Sequence, residues 1–396
     1  MISERVNRIS ISSTMMVAAE AKSMKSEGID VIDLSVGESD FPTPENIKAA
    51  AKKAIDNDQT KYTVNSGIVE LRRAIGEKFR RENNLSYSPD EIIVSNGAKQ
   101  SLFNAIQSTV SFDDEVIIPA PYWVSYPEMI KLANGIPVIV NCTEENSFKL
   151  TPEALKKAVT PNTKVLILCN PSNPTGAAYT KDELHSLAQV IENGSYYIIA
   201  DEIYEKLVYD DFKFVSFASI SDSLKTRTII INGVSKAYAM TGWRIGYAAG
   251  PEHIILGMNK IQSHSTSNAC SISQYAAMEA ITGSQTAIEM MRTEYKKRRD
   301  YLYEELISIS GIRCHKSEGA FYLFPNFSKY FHKSTNVLQV ENSFDLSMYL
   351  LYEGKVAVVP GSAFGAEGFI RISYSTSMEK LIEAVRRIKA ALLKLQ

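Results

Sequence analysis

The sequence predicts an α/β fold in which a mostly parallel central sheet is covered by helices, with a smaller α+β unit beside it. Three observations carry that expectation. Short apolar runs at residues 92–94, 116–118, 136–140, 165–168, 197–200 and 228–231 have the length and unbroken hydrophobicity of strands buried on both faces. Amphipathic stretches separate them, and strand alternating with helix implies parallel pairing. The length, 396 residues, exceeds what one hydrophobic core holds, so two domains are expected.

Local signals justify the elements in turn. After the run 92–94 comes Ser95-Asn96-Gly97-Ala98-Lys99-Gln100, a glycine turn opening a helix. Free N–H groups and the helix dipole make such a turn a receptor for phosphate. Thr151-Pro152 begins another helix, with proline at the first helical position, and Thr180 to Glu183 forms a capping box for a third. From about Thr286 the texture changes to a long charged helix through 292–305, short strands near 321–324 and 356–359, and a terminal helix from about Met378. The expected division is therefore a large domain over 45–285 and a small one made of 1–44 with 286–396.

Composition narrows the function. With 43 Lys+Arg against 45 Asp+Glu and a net charge of -2, no surface dedicated to nucleic acid or anionic membrane is expected. Cys142, Cys169, Cys270 and Cys314 are scattered without paired spacing and read as core thiols. The N-terminus lacks the apolar core of a secretion signal, and no stretch approaches ~18 uninterrupted apolar residues, so a soluble cytoplasmic protein is expected. No Gly-x-Gly-x-x-Gly, HExxH or P-loop pattern points to a dehydrogenase, metalloprotease or nucleotide hydrolase, and no metal site is expected.

One segment concentrates the chemistry. Ser235-Lys236-Ala237-Tyr238-Ala239-Met240-Thr241-Gly242-Trp243-Arg244-Ile245-Gly246-Tyr247 lies just beyond the run 228–231. A lysine there, with an arginine eight residues on, suits an amine that binds an aldehyde cofactor as a Schiff base while a fixed guanidinium grips the cofactor's phosphate. Ligands of open α/β sheets collect at the carboxyl ends of strands. Two more such junctions are polar: Asn170-Pro171-Ser172-Asn173-Pro174-Thr175-Gly176 and Asp201-Glu202-Ile203-Tyr204. Taken alone, Asp201 suits a helix N-cap, Trp123 of Pro121-Tyr122-Trp123 suits a core or interface, and Arg371 of Gly368-Phe369-Ile370-Arg371-Ile372-Ser373-Tyr374 suits an internal ion pair or a bound carboxylate.

Together these motifs, in this order from Gly37 to Arg371, resemble the fold-type I, pyridoxal-phosphate-dependent aminotransferases of class I/II, in particular the aspartate aminotransferase-like bacterial and archaeal subgroup. The resemblance implies ping-pong transfer of an amino group between an L-amino acid and a 2-oxo acid, with pyridoxal 5'-phosphate as cofactor and 2-oxoglutarate as acceptor. Lys236 would hold the cofactor and move the proton, Asp201 would keep its pyridine nitrogen protonated, and Tyr204 and Asn173 would bond its phenolic oxygen. Gly97, Ala98, Lys99, Ser235 and Arg244 would bind the phosphate, and Trp123 would stack on the ring. Tyr62 would reach the phosphate of the partner in a homodimer. Arg371 would clamp the substrate α-carboxylate, with Gly37, Trp123 and Asn173 around it.

Departures from the subgroup bear on the substrate. Ser39 stands where a proline usually follows Gly37-Glu38, and the chain reads Arg8-Ile9-Ser10-Ile11 where several relatives carry a lysine. Residues 100–130 contain no Lys or Arg, and none follows in Gln262-Ser263-His264-Ser265-Thr266. The expectation is a pocket that binds a distal carboxylate through neutral donors, His264 or the N-terminal segment, and hence an aspartate aminotransferase of broad range. An aromatic or broad-specificity aminotransferase and a C–S lyase of the same fold are the alternatives. The effector domain of a transcription regulator would need an added DNA-binding module.

Overall fold

In the computed structural model, which describes residues 2–10, 13–334 and 339–396 with no account of the side chains of residues 13 and 14, all six apolar runs form strands. They are β1 Ile92–Ser95, β2 Glu115–Ala120, β3 Ile136–Asn141, β4 Thr163–Cys169, β5 Tyr197–Asp201 and β6 Thr228–Gly233; β7, Gly246–Ala249, joins them. Seven strands pair in the order β1-β7-β6-β5-β4-β2-β3. All pairings are parallel except those of β7, which runs antiparallel to both β1 and β6.

Alternate residues of each strand feed opposite faces. Val165 and Ile167 join the cluster under the helices Ala98–Thr109 and Glu252–Ser263, whereas Leu166 and Leu168 join the one under Lys181–Ile191. Ile229, Ile230 and Ile231 are wholly buried, each worth roughly 2 kcal/mol of hydrophobic stabilisation. One strand departs from the expected two-sided burial. β3 is the edge of the sheet, and its Ile136 and Ile139 are 45% and 40% exposed. Hydrophobicity alone did not separate an edge strand from a central one.

The helix signals act as read. Thr180 and Glu183 close a capping box at the start of Lys181–Ile191, and Thr151 caps Pro152–Ala158 with Pro152 in the first turn. Beyond residue 286 the long charged helix spans Thr286–Ile307 and the terminal one Met378–Leu392. Between them Ile370–Ser373 pairs antiparallel with both Val359–Pro360 and Tyr322–Leu323. The predicted strand at 356–359 is divided: Val356–Ala357 pairs instead with Ile32–Asp33, parallel, which joins the N-terminal segment to the C-terminal part.

Near the start, Arg8 bonds Asn134 at 3.4 Å and the Ser10 N–H bonds Glu128 at 2.9 Å, while Ile11 lies outside the described residues. Of the cysteines, Cys270 is exposed, contrary to the core reading, and the others are partly buried. Among the described residues no helix is long and apolar enough to cross a membrane.

Candidate active site

The topology brings distant motifs to one edge. The carboxyl ends of β1, β2, β4, β5 and β6 lie together, and the antiparallel β7 delivers its amino end there, with Arg244 just ahead of it. A cavity of about 490 Å³ opens at this edge. Its walls include Gly37, Ala98, Lys99, Trp123, Asn173, Asp201, Tyr204, Ser235, Lys236 and Arg244, ten of the predicted site residues.

Lys236 is half-buried as a residue, but its amine is enclosed and donates to the Gly37 carbonyl at 2.6 Å. Burial lowers its pKa to about 8, helped by the Arg371 and Arg244 cations and opposed by Asp201 and Glu38. That keeps a free-base fraction available near neutral pH. Asp201 ends β5 and is 7% exposed. Its Oδ2 accepts from the Tyr126 hydroxyl at 2.7 Å, and burial raises its pKa against that bond and against Lys236. An isolated buried carboxylate of this kind favours a cationic partner from the cavity side. The Tyr204 phenol shares a 2.8 Å hydrogen bond with Tyr322 and is held protonated by burial, so it serves as a donor.

The phosphate turn forms as read: Gly97, at φ 84°, precedes the helix Ala98–Thr109. The positive φ favours glycine there, and a Cβ would also push the Arg244 guanidinium from its place. Arg244 itself adopts the left-handed region, φ 54°, a conformation costing about 1 kcal/mol. The guanidinium so aimed donates to the Thr241 carbonyl at 2.9 Å and the Asn96 carbonyl at 3.3 Å. The Lys99 amine sits over the Trp123 ring, 4.9 Å from its centre, its pKa lowered by burial and by Arg244.

Arg371 lies behind the cavity wall, 6% exposed. Its guanidinium donates to Asn173 Oδ1 at 3.0 Å and to the Ser35 carbonyl at 2.6 Å, and stacks over Tyr322 at 4.5 Å. Nε finds no partner, and the groups that the guanidinium bonds are both neutral. The internal ion pair is thus not formed, and the donor set suits an incoming carboxylate. Tyr62 lies apart, 92% exposed. His264 is exposed and is not among the residues lining the cavity.

Several wall residues carried no assigned role in the sequence. Tyr126 is one, and its 2.7 Å bond to Asp201 reveals its place in the site. Glu38 accepts from Thr241 at 2.9 Å across the rim. Cys169 lines the cavity beside Asp201, its register partner, with a thiol pushed up to about 12 by burial and therefore unreactive.

Comparison with known proteins identifies the family. The model of the family described as "Aminotransferase class I and II" matches residues 29–388. The chain belongs to the class I and II aminotransferases. A probable aspartate/prephenate aminotransferase of Rickettsia felis is 50% identical over 392 residues, covering 98% of this chain and 96% of that protein. The crystal structure of an aspartate aminotransferase from Rhizobium meliloti has a TM-score of 0.97 and 45% identity, covering 100% of each chain. That of the Thermus thermophilus aspartate aminotransferase with maleate has a TM-score of 0.93 and 42% identity, covering 99% of each. The protein is a pyridoxal-phosphate-dependent aminotransferase acting on an amino acid and an oxo acid, and the lyase alternative is not favoured. The cavity fits that cofactor: an enclosed amine, an isolated carboxylate and a glycine turn beside a guanidinium match its aldehyde, ring nitrogen and phosphate.

Proposed function

We propose that this aminotransferase takes the amino group of aspartate, with 2-oxoglutarate as acceptor. The observation that carries the proposal is Lys99. Residues 100–130 hold no cation, but Lys99 at the start of the same helix lines the cavity with its amine against Trp123. With Arg371 for the α-carboxylate, a dicarboxylate would meet a cation at each end, which a monocarboxylate cannot use. The maleate bound by the Thermus relative is a dicarboxylate of the same carbon count as aspartate, which supports this reading. Lys99 thereby replaces the neutral pocket expected from residues 100–130.

Pyridoxal phosphate supplies an electron sink for the bonds at the substrate Cα. In the proposed roles the chain's own residues do the rest. Lys236 would hold the cofactor aldehyde and, with its amine free, would take the proton from the substrate Cα as base and deliver it as acid to the carbon that carried the aldehyde. Asp201, oriented by Tyr126, stabilises the proton on the ring nitrogen, while Tyr204 and Asn173 donate to the phenolic oxygen. Gly97, Ala98, Ser235 and Arg244 hold the phosphate, and Trp123 and Gly37 bound the substrate space. The 92% exposed Tyr62 is assigned to the partner's phosphate in a cytoplasmic homodimer. Residues 45–285 form the cofactor-binding domain in this scheme, and 1–44 with 286–396 form the small domain.

The test is Lys99→Gln. It should lower kcat/KM for aspartate by about 10- to 100-fold, the worth of one charge-assisted bond, and leave alanine or phenylalanine within about threefold. Equal losses for all three would reject Lys99 as the distal ligand.

A further inference from the structure

Behind the turn that carries Asp201 and Tyr204 lies a second polar cluster, buried and outside the cavity. Glu205 is 8% exposed, and Lys78 and Asn232 are 1% exposed. Glu205 Oε1 accepts from Lys78 Nζ and, at 2.8 Å, from Asn232 Nδ2; its Oε2 accepts from Asn83 Nδ2 at 3.0 Å. Lys78 also donates to Asn83 Oδ1 at 2.8 Å. Three segments therefore meet on one carboxylate: the helix Val69–Asn83, the turn after β5, and β6, whose chain runs on from Asn232 to Ser235 and Lys236.

A buried ion pair is a poor source of stability, because desolvation offsets most of its attraction and apolar replacements are often neutral. What this one supplies is geometry. Asp201 and Tyr204 face the cavity from the same short turn that Glu205 ends, and that turn is tightened by the Glu205 N–H on the Glu202 carbonyl at 3.0 Å. Asn232 accepts the next N–H, of Gly233, on its own Oδ1 at 2.7 Å, so its amide is fixed at both ends. A shift of the turn against β6 would move Asp201 and Tyr204 relative to the Lys236 amine.

We infer that Glu205 is a positioning residue, which through Asn232, Lys78 and Asn83 locks the Asp201–Tyr204 turn to the strand that delivers Lys236. The inference rests on the roles proposed above for Asp201, Tyr204 and Lys236. Two variants test it. Lys78→Met/Glu205→Gln removes both charges of the pair together, and Asn232→Ala cuts the link from Glu205 to β6 along with the Oδ1 bond to the Gly233 N–H. In the cofactor-free protein, the pH midpoint for labelling the Lys236 amine should move by roughly half a unit or more, because Asp201 no longer stands at its present distance. The pH titration of the bound cofactor's visible absorption should move with it. In turnover, kcat should fall by about tenfold while KM for the amino acid changes less than about threefold.

A lower thermal midpoint with all these readouts at wild-type values would make the cluster structural only and overturn the inference. If the double variant fails to fold, the same readouts on Asn232→Ala decide the matter. Lys236→Ala is the control for the site itself: turnover surviving in that variant refutes the reading of the site, whatever the Glu205 variants do.

Discussion

At the scale of residues, the site works by withholding partners. Asp201 has one phenol and one distant N–H, 2.7 and 3.4 Å away, for a carboxylate 7% exposed, and Arg371 retains an unpartnered Nε. Each is most favourable once an opposite charge arrives from the cavity. Asp201→Ala should cost about 3 kcal/mol in the barrier, a rate loss of roughly a hundredfold, measured as kcat at saturating substrate. Near-normal turnover would remove Asp201 from the mechanism. Arg371→Ala should raise KM for all amino acids together, by about 2 kcal/mol, since they share the α-carboxylate. These residues were legible in the sequence because each sits at the end of an apolar run or in a motif of fixed spacing. Tyr126 and Tyr322 were not, because nothing in a lone aromatic distinguishes a hydroxyl aimed at a carboxylate or a phenol from one that merely fills core.

At the scale of elements, the strands were legible from hydrophobicity and the capped helices from their first turns, whereas β7 was not. Its first two residues, Gly246 and Tyr247, are hidden in the lysine motif, and its four residues hold three small side chains to one large. The small residues have a reason: a Cβ on Gly246 would overlap the backbone of Ala98 at the phosphate turn. Gly246→Ala should therefore destabilise the fold by about 2 kcal/mol and weaken cofactor binding together, read as thermal midpoint and cofactor affinity. Wild-type values for both would show that the turn yields.

Glu202, 1% exposed, makes a second prediction at this scale. Its Oε1 accepts from Ser216 and the Phe217 N–H, both at 2.9 Å, while Oε2 has no partner. Burial, with the Glu205 carboxylate nearby, raises its pKa from 4.5 to about 8 despite Lys78. The folded state thus binds a proton that the unfolded state releases. Its favourable contribution is fully present below the unfolded pKa and is lost as pH rises toward about 8. Glu202→Gln abolishes that titration, so its thermal midpoint relative to wild type should climb between about pH 5 and 8. A difference that stays flat over that interval would show that Glu202 ionises normally.

At the scale of the whole molecule, the sequence carried the family and an expectation of a partner for Tyr62. Tyr62 is 92% exposed and Val64 61% exposed, apolar area of the sort a second subunit covers. If Tyr62 serves the partner's site, mixing Tyr62→Phe with Lys236→Ala should restore activity, since one site of the mixed dimer carries neither lesion. Failure despite proven subunit exchange would assign both residues to the same site. The place of Lys99 was not legible in the sequence for a spatial reason: there it reads as part of the glycine turn, whereas folding sets its amine 4.9 Å from the centre of the Trp123 ring.

Everything proposed for the site turns on Lys236 as the residue to which the cofactor is joined. Borohydride reduction of the yellow protein, followed by peptide mapping, measures this directly. A single pyridoxyl adduct on Lys236 is expected, with loss of both adduct and turnover in Lys236→Ala. An adduct on another lysine, Lys99 included, would contradict it.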